Sequence, residues 1–309
     1  MKTRRRIFKL VSSFILVVVL VGCGVPTPPR NGEVVDVSPF LYQVIDDKGQ
    51  YVYLLGTCHP GRPEIKELDK VTEKALSDSD NIYLEVTMDT KEYEKYTPYL
   101  LENSIHELGY DDDLDQIIDE YPSLQELVGL FNLNAMALSS YVTADIMNDI
   151  DGSANNAIDE YIFDYASKKN NFKEVEGLET QFKLFSDISK TSTKVLLDSM
   201  KNRKEYVKAS KAILDAYYDG DVEFFEKDGE LINSETSEEM KTYQKQMIDD
   251  RNVNMANTVI NCINNQDQDF IGVGCRHLYG ETGIIKYLEK QGYQVKSLNK
   301  VWITPESVN

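Results

Sequence analysis

Histidine is scarce in this chain, with three among 309 residues. Positive charge is scarce too: 33 lysines and arginines stand against 52 aspartates and glutamates. Five of those bases (Lys2, Arg4, Arg5, Arg6 and Lys9) precede residue 23, where there are no acids. The remainder therefore holds 28 bases (33 less 5) against 52 acids, a balance of −24. Such an excess repels nucleic-acid phosphates and the surface of anionic lipid, and it favours a soluble body. Nucleic acid is excluded as a partner. None of the four cysteines forms a Cys-x-x-Cys pair, so the usual structural zinc spacing is missing. No segment is of low complexity.

The N-terminus has a basic stretch followed by an apolar run from Leu10 to Val21, broken by Ser12 and Ser13. That run falls short of the ~20 residues of a membrane span. With the basic flank it has the shape of an export signal. It closes on Leu20-Val21-Gly22-Cys23, which resembles a bacterial lipobox. The expectation is a signal over residues 1–22, lipid on Cys23, and a proline-rich tether over residues 23–38. The protein would then be anchored by lipid at the extracytoplasmic face of the cell membrane. A single domain follows over residues 39–305, and its ordinary apolar content (41% chain-wide) suffices for a sizeable core.

Phe40–Ile45 reads as a strand, Asp46–Gly49 as a turn and Tyr51–Leu55 as the returning strand. Glu64–Leu76 has helical spacing, and Asn81–Val86 reads as a second buried strand ending in Glu85. From about 90 to 257 the pattern is mostly helical: Tyr93–Leu108, Leu114–Phe131, Asn134–Met147, Ile158–Ala166, Thr180–Met200 and Lys201–Tyr218. One short break, Phe172–Glu179, alternates like a strand around Gly177. Asp269–Val295 closes the chain as strand, glycine turn and helix. The fold expected is α/β, with a mixed central sheet drawn from the two ends and a large helical layer between them.

Two of the three histidines occupy matching positions. Gly56-Thr-Cys-His59 and Gly274-Cys-Arg-His277 each follow an apolar strand and precede a helix. Glycine permits a sharp turn after the strand, and the histidine then projects from the strand end. One such motif is a weak signal; two in so histidine-poor a chain are a better one. Paired imidazoles with carboxylates suit a divalent metal with an open coordination position, which would support hydrolysis. The candidate carboxylates are Glu85 and Glu179. His106, on a charged stretch with no motif around it, reads as a solvated residue. Cys58 and Cys275 flank the motif histidines, and three readings stay open for them: a disulfide, thiolate ligation, or small buried residues beside tight turns.

These segments resemble the TraB/GumN family, relatives of the TIKI proteases. The resemblance rests on Tyr53–Gly61, Asp80–Glu85, Ala157-Ile-Asp159, Gly177-Leu-Glu179-Thr, Arg251-Asn252 and Val273–Ile285, and it runs from about Tyr42 to Leu298. It implies an α/β fold in which the two Gly-x-x-His motifs converge on one site. It also implies metal-dependent peptide cleavage, with His59 and His277 as metal or catalytic histidines and Glu85 as the motif carboxylate. Asp159, Glu179 and Arg251 are implied to line the site, Arg251 holding a substrate carboxylate or pairing with Glu179. The substrate class would be a peptide or another small molecule. Members of this family also include a protein linked to shutdown of a conjugation pheromone, and more distant relatives bind haem. The alternative expectation is therefore a surface lipoprotein that sequesters a peptide or haem without cleaving it.

Overall fold

The computed structural model describes residues 32–299, except positions 63, 126, 128, 154–155 and 230–237. The expected signal, the lipid-bearing Cys23 and most of the tether lie outside the described residues. Among those described, no helix is long and apolar enough to cross a membrane.

Among the described residues, eight strands form two sheets: β1 (Glu33–Val35), β2 (Leu41–Ile45), β3 (Tyr51–Thr57), β4 (Ile65–Leu68), β5 (Ile82–Leu84), β6 (Phe172–Glu174), β7 (Phe270–Gly274) and β8 (Gln294–Ser297). The main sheet runs in the order β6-β5-β7-β3-β2-β8, while β1 and β4 pair separately. The neighbours β6, β5, β7 and β3 are all mutually parallel; β2 is antiparallel to β3 and β8 is antiparallel to β2. The α/β class with a mixed sheet is therefore observed. The sheet does not come from the chain ends alone, because the edge strand β6 is supplied by the middle of the sequence.

The central strands are continuous apolar runs because both of their faces are covered. Every residue of β7 is buried, and Leu54 and Leu55 of β3 are fully enclosed. The β2–β3 hairpin turns where expected. Asp46 accepts hydrogen bonds from the backbone N–H groups of Lys48 and Gln50 through Oδ1, the local competition by which an Asp side chain favours a turn.

The longer helices are α1 (Lys70–Asp78), α2 (Ala135–Asp149), α3 (Ile158–Lys169), α4 (Leu178–Asp187), α5 (Ser189–Met200), α6 (Arg203–Tyr218), α7 (Val222–Gly229), α8 (Glu238–Gln244), α9 (Asp250–Asn265) and α10 (Ile284–Lys290). Helix α3 packs on β5 and β6, and α9 packs on β3 and α10.

Three helix expectations need correction. Residues 65–68 are strand β4, paired with β1, and the helix starts only at Lys70. Asp69 sets that boundary: its Oδ1 accepts from the N–H groups of Val71 and Thr72, while its Oδ2 accepts from the Val37 N–H and the Thr72 hydroxyl. An N-cap so well satisfied fixes the first turn there. Between Thr90 and Asn132, the long helices expected break into single turns and 3₁₀ segments. Pro98, Gly109, Pro122 and Gly129 punctuate this stretch, and the glycines at 109 and 129 hold positive φ. Finally, 180–200 is two helices, divided at Ile188.

Candidate functional site

The four parallel strands end at one edge, where open α/β sheets place ligand sites. Register brings the two motifs together there: Gly56 pairs with Val273 and Thr57 with Gly274 on adjacent strands. Gly56 is required by close approach, since a Cβ there would lie 2.8 Å from Leu278 Cδ1 and 3.2 Å from the Cys275 Cα. Its carbonyl also accepts the hydroxyl of Tyr217 at 2.8 Å. Strand β5 delivers Glu85 to the same edge, and the β6–α4 connection delivers Glu176. The Glu85 carbonyl accepts the N–H groups of Glu176 (3.0 Å) and Gly177 (3.3 Å). Gly177 makes the turn at φ +86°, a conformation that favours glycine.

Arg251, near the start of α9, lies buried between the two carboxylates. Its Nη2 donates to Glu85 Oε2 at 2.5 Å and to Glu176 Oε2 at 2.6 Å, and its Nε donates to Glu176 Oε1 at 2.9 Å. Its Nη1 donates to the Met247 carbonyl, within a π-helical turn, Lys245–Asp249, that leads into α9; such turns often mark functional positions. Burial alone would lower the guanidinium pKa, but the charges of Glu85 and Glu176 outweigh it and the group stays charged. The other oxygen of Glu85, Oε1, accepts the Gly274 N–H at 2.7 Å.

His277 is fully buried. Its Nδ1 lies 2.6 Å from Asn252 Oδ1, and Asn252 in turn donates from Nδ2 to the Thr282 carbonyl at 2.9 Å. That second bond fixes which way the amide points. Asn252 Oδ1 can only accept, so Nδ1 carries the ring proton and Nε2 is left as a lone pair. This Nε2 has no hydrogen-bond partner and sits 3.8 Å from Glu85 Oε1. Burial, followed by the Arg251 charge, lowers the His277 pKa well below the usual histidine value, so the ring is neutral.

His59 behaves oppositely. Its Nδ1 is 3.0 Å from Asp159 Oδ2, and Asp159 Oδ1 accepts the Thr57 hydroxyl at 2.6 Å. Asp159 is buried in the first turn of α3, a favourable end for a carboxylate. Burial would lower the His59 pKa, but the adjacent Asp159 charge prevails and raises it to about 9. The carboxyl of Asp159 is held below its ordinary range: burial would raise it, and the His59 charge outweighs burial.

Of the residues expected from sequence, His59, Asp159, Glu85, Arg251 and His277 gather at this edge. Glu179 does not join the Arg251 cluster: it is exposed on the first turn of α4, and Arg251 pairs with Glu85 and Glu176 instead. Glu176 and Asn252 are not among the expected site residues, although Asn252 stands in the Arg251-Asn252 motif. The available signals were an acid just past a strand, as at Glu85, and a polar residue adjoining Arg251. His106 is exposed, near Asp111, as expected. Cys58, Cys262 and Cys275 are free, buried thiols. Burial pushes Cys58 and Cys275 up, out of reach of neutral pH, so neither is an activated nucleophile.

Among the described residues, no group of three or more His, Cys, Asp or Glu side chains is gathered tightly enough to hold a metal ion. The donor chemistry nevertheless suits one. Both motif histidines have Nδ1 engaged with an oxygen, the outer partner that metal-bound imidazoles have. His277 also presents an orphaned, buried lone pair facing a carboxylate.

The sequence model of the TraB/PrgY/gumN family matches residues 40–297, and the chain belongs to that family. No curated protein and no solved structure matches it significantly.

Proposed function

We propose that this protein is a lipid-anchored hydrolase of the extracytoplasmic membrane face, cleaving peptides at the sheet edge that carries His59 and His277. The observation that carries the reading is the unpartnered Nε2 of His277, buried and aimed at Glu85. A buried polar atom left without a partner costs free energy and is retained where it has work to do. Peptide as substrate follows from the resemblance to the TIKI proteases, and lipid anchoring follows from the Cys23 motif.

Within the site, Asn252 keeps the proton on His277 Nδ1 and its lone pair outward. Asp159 orients the His59 ring and holds its proton. Arg251 locks Glu85 and Glu176, and the Gly274 N–H fixes the remaining Glu85 oxygen. The two histidines therefore have pKa values driven apart, the arrangement that assigns an acid and a base. His59, His277 and Glu85 would have to draw closer than they stand here to hold a divalent ion, which when bound would polarise a carbonyl and acidify water. His59 must shed its proton to join that set, so metal uptake would release a proton and weaken as pH falls.

A second reading has one observation in its favour. Both oxygens of Glu85 are already bonded, which leaves it little freedom as a base and suits a site that binds a peptide or haem without turnover. Metal content and peptide cleavage, compared for the wild type, His59→Ala and His277→Ala, separate the two. Joint loss of metal and cleavage in the variants supports the hydrolase. A wild type that holds no metal and cuts nothing, yet copurifies with an intact ligand, supports binding.

A further inference from the structure

Among the described residues, no strand pairs with the outer edge of β6. Strand β6 bonds β5 through alternate residues: the Ile82 N–H donates to the Asn171 carbonyl, and the Val175 N–H donates to the Leu84 carbonyl. With Ile82 opposite Phe172 and Leu84 opposite Glu174, parallel geometry turns the backbone groups of Lys173 toward β5. It turns those of Phe172 and Glu174 the other way. Among the described residues, no hydrogen bond reaches Phe172 or Glu174 backbone groups from that outer side.

A groove of about 560 Å³ runs along this edge, with Phe172, Lys173 and Glu174 in its wall. Tyr96 and Ser167 line it as well. Phe163 packs edge-on against Phe172, ring centroids 4.9 Å apart, giving the groove an apolar floor. Three carboxylates face it: Asp89, Glu92 and Glu174. Each has some internal duty. Asp89 accepts the Lys91 N–H, Glu92 pairs with Lys95, and Glu174 accepts the Thr87 N–H. The nearest wall cation, Lys173, is turned over the Tyr83 ring.

We infer that this edge takes up an extended, basic peptide as an added strand. Its backbone would bond Phe172 and Glu174, and its cationic side chains would meet Asp89, Glu92 and Glu174. Strand addition draws affinity from the main chain and selectivity from alternate side chains. The groove lies where β6 leads, two residues on, to Glu176, so the peptide is carried toward the histidine site. The inference rests on the hydrolase reading only for what happens to that peptide afterwards.

The test uses the full-length protein bearing His59→Ala, to prevent turnover, and fluorescence anisotropy with dye-labelled octapeptides. One peptide alternates valine with lysine and the other valine with glutamate. The lysine peptide should bind and the glutamate peptide should not. Backbone N-methylation of one alternate set of residues should abolish binding, while methylation of the other set should leave it nearly unchanged. Glu174→Pro removes an outward N–H without touching the β5 ladder, a placement edge strands tolerate. It should weaken binding about tenfold beyond Glu174→Gln, the worth of one main-chain hydrogen bond. Circular dichroism checks that the fold is kept, and Ser167→Trp, which fills the groove without altering β6, should also block binding.

Equal binding of both methylated peptides, equal affinities of Glu174→Pro and Glu174→Gln, or no binding of the lysine peptide would overturn the inference. Binding without any cleavage by wild type would leave the groove and remove the hydrolase. Cleavage undiminished by Glu174→Pro would do the reverse.

Discussion

Asn252 and His277 are joined by a 2.6 Å hydrogen bond that sets the tautomer of a fully buried ring. Asn252→Ala should free the ring and expose Nδ1 and Nε2 to exchange of the proton. Loss of such an outer partner typically costs ~10–100-fold in metal affinity or activity. Nitrogen-15 NMR of His277 should report protonated Nδ1 in wild type and a mixture in the variant. An unchanged tautomer in Asn252→Ala would show that Asn252 does not set it.

The pairing of Arg251 with Glu85 and Glu176 predicts a large stability effect. Arg251→Met leaves two buried carboxylates side by side, and breaking a buried pair in this way costs ~3–5 kcal/mol. Arg251→Lys should recover only part of that loss, because an ammonium cannot bridge both carboxylates bidentately. Urea denaturation measures both variants. A loss under ~1 kcal/mol for Arg251→Met would contradict burial of the ion cluster as described.

The two motif histidines should bend the stability–pH curve in opposite senses. Both titrate near 6.5 when unfolded. His59 is raised to about 9 in the fold, so its contribution is complete below pH 6.5 and is lost as pH rises through 9. His277 is lowered, so its contribution is present above pH 6.5 and is lost as pH falls below it. His59→Asn should therefore flatten the alkaline limb and His277→Asn the acid limb. Chemical denaturation from pH 5 to pH 10 reads both, and identical pH profiles for the two variants would refute the assignment.

Asp69 predicts a result at a distance from the site. Its carboxylate accepts four hydrogen bonds, so Asp69→Ala should cost more than the ~1 kcal/mol of an ordinary cap, because the Val37 N–H is orphaned as well. Asp69→Asn should retain part of it. A thermal midpoint unchanged in Asp69→Ala would dismiss the boundary argument.

The sequence made the central sheet legible because β2, β3, β5 and β7 are apolar runs set off by turn residues. It also revealed the histidine pair, which rarity made conspicuous. In β4, Ile65 and Leu68 are three apart, a spacing that a short strand and a helix turn share, and the cap at Asp69 decides between them. Over residues 90–132 the apolar periodicity suggests long helices, but the prolines and glycines there break the chain into single turns. For Glu176 and Asn252 the local signals are weak, because their roles depend on where distant strands end and on a bond to the Thr282 carbonyl. Glu179 follows the Gly177 turn closely in sequence, yet the turn aims the earlier acid, Glu176, inward to Arg251.

Strand β7 lies between β3 and β5 yet is made long after both, more than 180 residues further along the chain than either. Until it is inserted, Glu85 lacks the Gly274 amide, His277 is not in place, and β3 and β5 have an empty lane between them. Closing so long a loop is slow. A chain that stops short of β7 therefore lacks both the Gly274 amide and His277, so the candidate site is assembled only once the C-terminal strand is in place.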